Sequence, residues 1–330
     1  MRVLIIYNEP LLPKDHPEAD SEHEILYVAD AIGTILKAAG FEVDAFGVDH
    51  RPDALIARLR ADPPDVVFNL FEHSTDHAAD EEWVAGILQW LGIPFTGSPS
   101  QTIAVARSKH LAKGVLQAAG LPTPPFRVID RLPVAPNALG WPVILKPAGE
   151  DSSIGIDQGS VVVDDAALVS RAAHILEHYG PPVLVEGFIR GRELSVSVIE
   201  NPDLRALPPV EILFIDPDPS FWPILSYGGK WKPDTREYDV TPPKYGADVA
   251  EPLATQIADL AKRAFQVLGC RDYARIDFRV SEDGQPWIIE INPNPDISPE
   301  AMLSGNLNSG GIRHSDYVVD LTRRAAARGG

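Results

Sequence analysis

Two carboxylates and an amide come together in the last third of the chain. The segment "DYARIDFRVSEDGQPWIIEINPNPD" contains two β-rich runs joined at Asp283-Gly284, a strong short-range hairpin signal. With those two residues as the turn, Asp277 faces Glu290 and Arg275 faces Asn292. Strand alternation puts these four side chains on one face and Ile276, Phe278, Ile289 and Ile291 on the other. Opposed carboxylates repel unless a cation lies between them. Magnesium accepts carboxylate and amide oxygens while leaving positions for phosphate. Asp277, Glu290 and Asn292 are therefore a candidate magnesium-nucleotide site, the alternative being a solvated acidic face neutralised by Arg275 and Arg279.

Phosphate chemistry is suggested upstream. "VILKPAGEDSSIGI" sets Lys146 at the end of an apolar strand, before a loop holding Gly149, Ser152, Ser153 and Gly155. Small residues let backbone N–H groups approach phosphate, hydroxyls add donors and lysine adds charge. The spacing is not that of a Walker loop, and an ordinary turn would also account for it. Lys109 stands one residue into a helix with Ser108 as its cap. In "VLVEGFIRGREL", Glu186 and Glu193 flank a short glycine-containing link. They could accept from an adenine amino group and ribose hydroxyls, or be solvated link residues.

The elements that must hold these groups alternate strand and helix, which predicts an α/β architecture. After "VLIIY" and a polar loop over Asn8 to Asp20, Ser21 and Glu24 form a capping box, and Ile25, Val28, Ile32, Leu36 and Ala39 keep helical spacing up to Gly40. "FEVDAF" and "DVVFNLF" add strands. The segment from Asp216 to Tyr245 is too long for an idle connection. The expected division is an N-terminal α/β domain over 1–100, a central one over 101–188 and a C-terminal one over 189–330 that carries the metal face.

Composition narrows the function. The 330 residues suffice for two or three cores. A net charge of −18 argues against nucleic acid or an anionic membrane as partner. Cys270 is the single cysteine, which excludes an internal disulfide framework and suits a reducing compartment. "MRVLIIYNEP" resembles a first strand rather than a secretory leader, and no apolar run reaches the length of a membrane span. A cytoplasmic protein is expected.

Taken in order, "LGIPFTGS", "SKHLAKGVLQAAGLPTPPF", "PVILKPAGEDSSIGI", "VLVEGFIRGREL", "PPVEI" and "ARIDF...IIEIN" resemble the ATP-grasp superfamily, specifically its D-alanyl-D-alanine ligase-like branch, over nearly the whole chain. The resemblance implies a Rossmann-like first domain followed by two subdomains that sandwich ATP. It implies an enzyme that phosphorylates a carboxylate with ATP and lets an amine displace phosphate, joining two small amino-acid-like substrates. Lys109 and Lys146 match lysines on the ATP phosphates, and Ser152 and Ser153 lie in the loop that closes over them. Glu186 and Ile189 match the adenine hinge and Glu193 the ribose acid. Asp277, Glu290 and Asn292 match the ligands of two magnesium ions, for which manganese is the alternative. Arg275 matches the arginine beside the reacting carbonyl, Lys230 a lysine on a mobile loop, and Glu22 the acid that binds the first substrate's ammonium. A homodimer is implied by the resemblance alone.

Departures from the family fall on the substrate side. "NEPLLPKDHPEAD" replaces a short glycine turn, and "NLFEHSTDHAADEEW" leaves His73 and His77 without counterparts. Trp231 stands where relatives have tyrosine, and Asp151 where they have glycine. After Asn292, Asp296 and Ala301 take the places of a glycine whose N–H helps an oxyanion and a serine that seats the second substrate's carboxylate. An anionic Asp296 repels a carboxylate and attracts an ammonium or a hydroxyl. The expectation is a carboxylate-amine ligase whose acceptor is not simple D-alanine. D-alanyl-D-alanine synthesis is the near rival, and an ATP-binding regulatory protein without turnover the rival from another class.

Overall fold

A computed structural model describes residues 1–10, 19–49, 51–72, 80–216 and 218–329, the side chains of 19–23 excepted. His73, His77 and most of the Asn8–Asp20 loop lie outside these residues. The chain opens with β1 (Arg2–Asn8), α1 (Ala19–Ala38), β2 (Glu42–Val48), α2 (Pro52–Ala61), β3 (Val66–Asn69) and α3 (Asp80–Trp90). The three strands form a parallel sheet in the order β2-β1-β3. A parallel strand covered on both faces needs a continuous apolar run, and Val3, Leu4, Ile5 and Ile6 are all buried. Since α1 begins at Ala19, Ser21 falls inside the helix and does not cap it.

Helices α4 (Ser100–Arg107) and α5 (Lys109–Ala118) lead to β4 (Phe126–Ile129), β5 (Val143–Pro147), β6 (Val161–Val162), α6 (Asp165–His178) and β7 (Val183–Gly187). These strands make an antiparallel sheet in the order β4-β7-β5-β6. Its apolar face packs on α6, whose first turn is capped by Asp164 accepting from the Ala167 N–H at 2.8 Å.

The remainder is β8 (Gly191–Glu200), β9 (Leu204–Ala206), β10 (Val210–Ile212), α7 (Tyr227–Trp231), α8 (Arg236–Asp239), β11 (Pro243–Lys244), α9 (Leu253–Leu268), β12 (Tyr273–Ser281), β13 (Pro286–Asn292), α10 (Met302–Ser309) and α11 (His314–Ala327). Strands β11-β10-β8-β12-β13 form one sheet, with β9 attached to β8. The amphipathic α9 covers its back with Ile257, Leu260, Ala261, Ala264 and Phe265, and ends at Gly269 in the left-handed conformation. Ala106, Ala112 and Leu116 of α4 and α5 join the same core. The long segment over Asp216 to Tyr245 thus contains two short helices and a short strand.

The hairpin differs from the expected one in two places that cancel. Its connection has three residues, Glu282 to Gly284, closed by the Ser281 N–H donating to the Gln285 carbonyl at 3.0 Å. A bulge then shifts the register: Phe278 pairs with Ile288, but Asp277 pairs with Glu290 and Arg275 with Asn292. The extra residue is Ile289, which turns to the site face, while Ile288 takes the core position.

Candidate active site

The sheet β8-β12-β13 presents alternate residues to a cleft. On β12, Ala274, Ile276, Phe278 and Val280 enter the core, so Arg275, Asp277 and Arg279 face outward. On β8, Glu193 and Ser195 take the same face, opposite Arg279 and Asp277 respectively. The central sheet closes the other wall, and the cleft between them, counted with its solvent-open mouth, spans about 830 Å³. Lys146, Ser153, Glu186, Ile189, Glu193, Lys230, Arg275, Asp277 and Glu290 all line it.

Asp277 accepts from Arg275 Nε at 3.0 Å and from Ser195 Oγ at 2.7 Å. Glu290 accepts from Lys109 Nζ at 2.6 Å, and that ammonium also reaches Asp151 at 2.7 Å. Burial alone would lower the Lys109 pKa, but Asp151 and Glu290 raise it above the ordinary value. Burial likewise opposes ionisation of Glu290, yet Lys109 and Lys230 hold it well below the usual carboxylate range. Asn292 Oδ1 accepts from the Asn294 N–H at 2.9 Å. The donor set suits magnesium: two carboxylates paired across the ladder and an amide oxygen beside them, all hard oxygen ligands. Among the described residues no three Asp, Glu, His or Cys side chains form a metal cluster.

Cations frame the opposite side. Lys230 makes no ion pair with a described residue, and its pKa is lowered by burial and then by nearby Arg275. Glu290, Asp277 and Glu193 lie near Lys230 without pairing with it, so its ammonium remains available to an anion in the cleft. Lys146 Nζ lies 2.7 Å from Glu186, whose second oxygen meets Lys113. Burial would raise Glu186, but Lys113 and Lys146 bring it down to about 2. The carboxylate of this expected hinge residue is thus committed to lysines, and in the backbone that follows the Gly187 and Phe188 N–H groups donate to the Pro125 and Pro142 carbonyls at 2.9 and 3.0 Å.

Arg279 was legible only as a neutralising charge, yet it organises the hinge. It donates to the Ile189 carbonyl at 3.0 Å, to Glu193 at 3.0 Å and to the Pro223 carbonyl at 2.9 Å, between the rings of Phe188 and Phe214. Ser195 and Lys113 also belong to the site's polar network, on Asp277 and Glu186 respectively. Alternation in "ELSVS" marks the first, and the one-turn spacing from Lys109 marks the second.

The phosphate loop is clasped by the segment around α7. Trp231 is 53% exposed and lies outside the cleft lining. Its Nε1 donates to the Ser152 carbonyl at 3.0 Å, so its contact is with the loop rather than with a substrate pocket. Ser153 Oγ donates to the Leu225 carbonyl at 3.0 Å, and the Tyr227 N–H to the Ile156 carbonyl at 3.0 Å. Ser152 and Ser153 are both left-handed, with φ of 55° and 62°, a strain of order 1 kcal/mol each that such clasping sustains.

Asp296 belongs to a second, smaller pocket with Asn69, Glu72, Tyr273 and Asn294. Its oxygens accept from the Ser298 N–H at 2.7 Å and Ser298 Oγ at 2.9 Å. Asn294 bridges Tyr273 and Glu81, donating to the latter at 2.8 Å. Glu72 opens to the pocket but is crowded by protein, and desolvation followed by Asp296, Glu81 and Glu24 pushes it up to about 8. Burial first pushes Glu81 to about 7. Glu22 lies in α1, and its side chain is outside the described residues.

Comparison with known proteins agrees with this geometry. The family described as "D-ala D-ala ligase C-terminus" matches residues 115–323. The D-alanine–D-alanine ligase of Gloeobacter violaceus is 30% identical over 311 residues, covering 92% of this chain and 95% of that one. An uncharacterized protein of Sinorhizobium fredii, y4sG, is 31% identical over 311 residues, covering 90% and 88%. The crystal structure of the Bacillus anthracis D-alanine–D-alanine ligase complexed with ATP superposes with a TM-score of 0.76 at 20% identity, covering 99% and 98%. Fold and site together define an ATP-grasp ligase, an enzyme that forms carbon–nitrogen bonds. Within that class, the chain belongs to the D-alanine–D-alanine ligase family. Among its described residues no helix is long and apolar enough to cross a membrane.

Proposed function

We propose that this enzyme uses ATP to activate the carboxylate of a small amino acid and joins it to an amine other than simple D-alanine. The observation that carries the proposal is the pocket lined by Glu72 and Asp296, with Glu81 held behind it by Asn294, which the chain reaches directly after Asn292 of the hairpin face. Lys146 and Lys109 receive the phosphates, and the cleft edge around Phe188 and Ile189 with Glu193 receives adenosine. Asp277, Glu290 and Asn292 would hold magnesium, which would supply positive charge to neutralise the polyphosphate. The donor's carboxylate oxygen attacks the γ-phosphorus and ADP leaves. Arg275 and Lys230, cations fixed beside the cleft, then stabilise the oxyanion that grows as the amine nitrogen attacks the carbonyl carbon. The bond from the carbonyl carbon to the phosphate oxygen breaks, and phosphate departs carrying the proton that the amine nitrogen gives up. Glu72 and Asp296 seat the acceptor through an ammonium or hydroxyl.

D-alanine is the first donor to try, because the named relatives are D-alanine–D-alanine ligases. The same kinship favours D-alanyl-D-alanine as the second reading of the product. The test supplies ATP, Mg²⁺ and D-alanine with pools of amino acids, diamines and hydroxylated amines, follows phosphate release and identifies products by mass. Phosphate release is expected to need both donor and acceptor, with the best acceptor bearing a second cationic or hydroxyl group. Equal efficiency with D-alanine as acceptor would overturn the acceptor assignment, and no substrate-dependent ADP would overturn the ligation itself. The paired change Asp296→Gly with Ala301→Ser should move preference toward D-alanine.

A further inference from the structure

Lys113 stands behind the cleft wall. It is one helical turn from Lys109 on α5, so both lysines leave the same face of the helix. Lys109 reaches Glu290, whereas Lys113 passes beneath the ring of Phe126, 5.5 Å from its centroid, and meets Glu186. Its ammonium also donates to Thr123 Oγ1 at 2.5 Å, and Thr123 donates to the Ile288 carbonyl at 2.8 Å. The Lys113 side chain is 3% exposed and Glu186 1%, against 12% for Lys146. Lys146 and Glu186 line the cleft and Lys113 does not. Register explains the grouping: Ile144 on β5 pairs with Glu186 on β7, and Lys146, two residues on, lies diagonally on the same face.

Two lysines on one carboxylate leave a single net positive charge. Without Lys113, the carboxylate would cancel Lys146, and a phosphate approaching Lys146 would meet a neutral pair. In a site shielded from water such a cancellation is felt strongly. We propose that Lys113 is a positioning residue for the nucleotide: it neutralises Glu186 so that the charge of Lys146 stays available to the ATP phosphates. This rests on the assignment of the cleft as the ATP site.

The test compares binding of ATP and of adenosine to the full chain by calorimetry, because adenosine shares the base and ribose contacts but has no phosphate. Lys113→Gln keeps a donor toward Glu186 and removes the charge. It should weaken ATP by about tenfold or more while changing adenosine by less than about twofold, and Lys113→Arg should restore ATP binding. The double variant Lys113→Gln with Glu186→Gln removes the canceling carboxylate as well. Its ATP-to-adenosine preference should lie within about threefold of the unaltered protein, which keeps the test decisive if the single variant is too unstable to purify. Equal losses for ATP and adenosine in Lys113→Gln, or a tenfold lower preference in the double variant, would overturn the proposal. If the unaltered protein bound neither ligand, the nucleotide assignment itself would fall.

Discussion

Glu290 carries the sharpest residue-level expectation. Facing Asp277 and gripped by Lys109, it joins the face proposed for the metal to the lysine proposed for phosphate. Glu290→Ala should lower turnover by about a thousandfold or more with the fold kept, checked by phosphate release beside circular dichroism. Near-normal turnover would remove the metal assignment. Glu81 gives a pH signature. Its folded pKa is raised from 4.5 to about 7, chiefly by burial, so the folded state holds the proton more tightly than the unfolded chain does. That contribution to stability is complete below about pH 4.5 and is lost as pH rises through about 7. Glu81→Gln keeps an acceptor for Asn294 and removes the dependence. Its melting temperature should match the unaltered protein near pH 4.5 and exceed it by about 1–3 °C near pH 8. A constant difference across that range would contradict the assignment.

At the scale of elements, two loops and a strand entry control the site. Trp231→Phe keeps the ring and deletes the donor to Ser152. One neutral hydrogen bond contributes about 0.5–1.5 kcal/mol, so KM for ATP should rise by about two- to tenfold with little change in melting temperature. Gly191, at the start of β8, has φ of +132°, and a Cβ there would lie 2.0 Å from the Val280 carbonyl oxygen. Gly191→Ala should therefore cost roughly 3 kcal/mol or more in a denaturant titration. The sheet face was legible because alternation is a strict two-residue rule: "ARIDF" and "IIEIN" declare which side chains share a side. The bulge at Ile289 was not legible, since nothing local distinguishes a two-residue turn from a three-residue turn compensated by one extra residue. Arg279 and Lys113 escaped for another reason. Their partners, the Ile189 carbonyl and Glu186, are distant in sequence, and single charges carry no period. Trp231 was visible as a substitution, but only packing shows that it faces the phosphate loop.

The whole molecule is built around a cleft between two walls with separate cores. Binding across it should stabilise both. ATP at a hundred times its dissociation constant adds about 2.7 kcal/mol, so melting temperature should rise with ATP and Mg²⁺ together. ATP with a chelator should give a much smaller rise, because an uncompensated polyphosphate meets Asp277 and Glu290 on a chain of net charge −18. The N-terminal sheet and the C-terminal helix, by contrast, share one core. Val3 and Ile5 of β1 and Phe68 of β3 pack with Tyr317, Val318, Leu321 and Ala325 of α11. Arg328 and the Gly97 N–H both bind Asp272, which anchors that junction to β12. During synthesis, therefore, this core is completed in two stages: Val28, Ala29, Ile32 and Leu36 of α1 can cover Val3 and Ile5 early, whereas α11 begins only at His314. A nascent chain halted before residue 317 lacks the α11 share of that core, so its N-terminal sheet is left with α1 on that face.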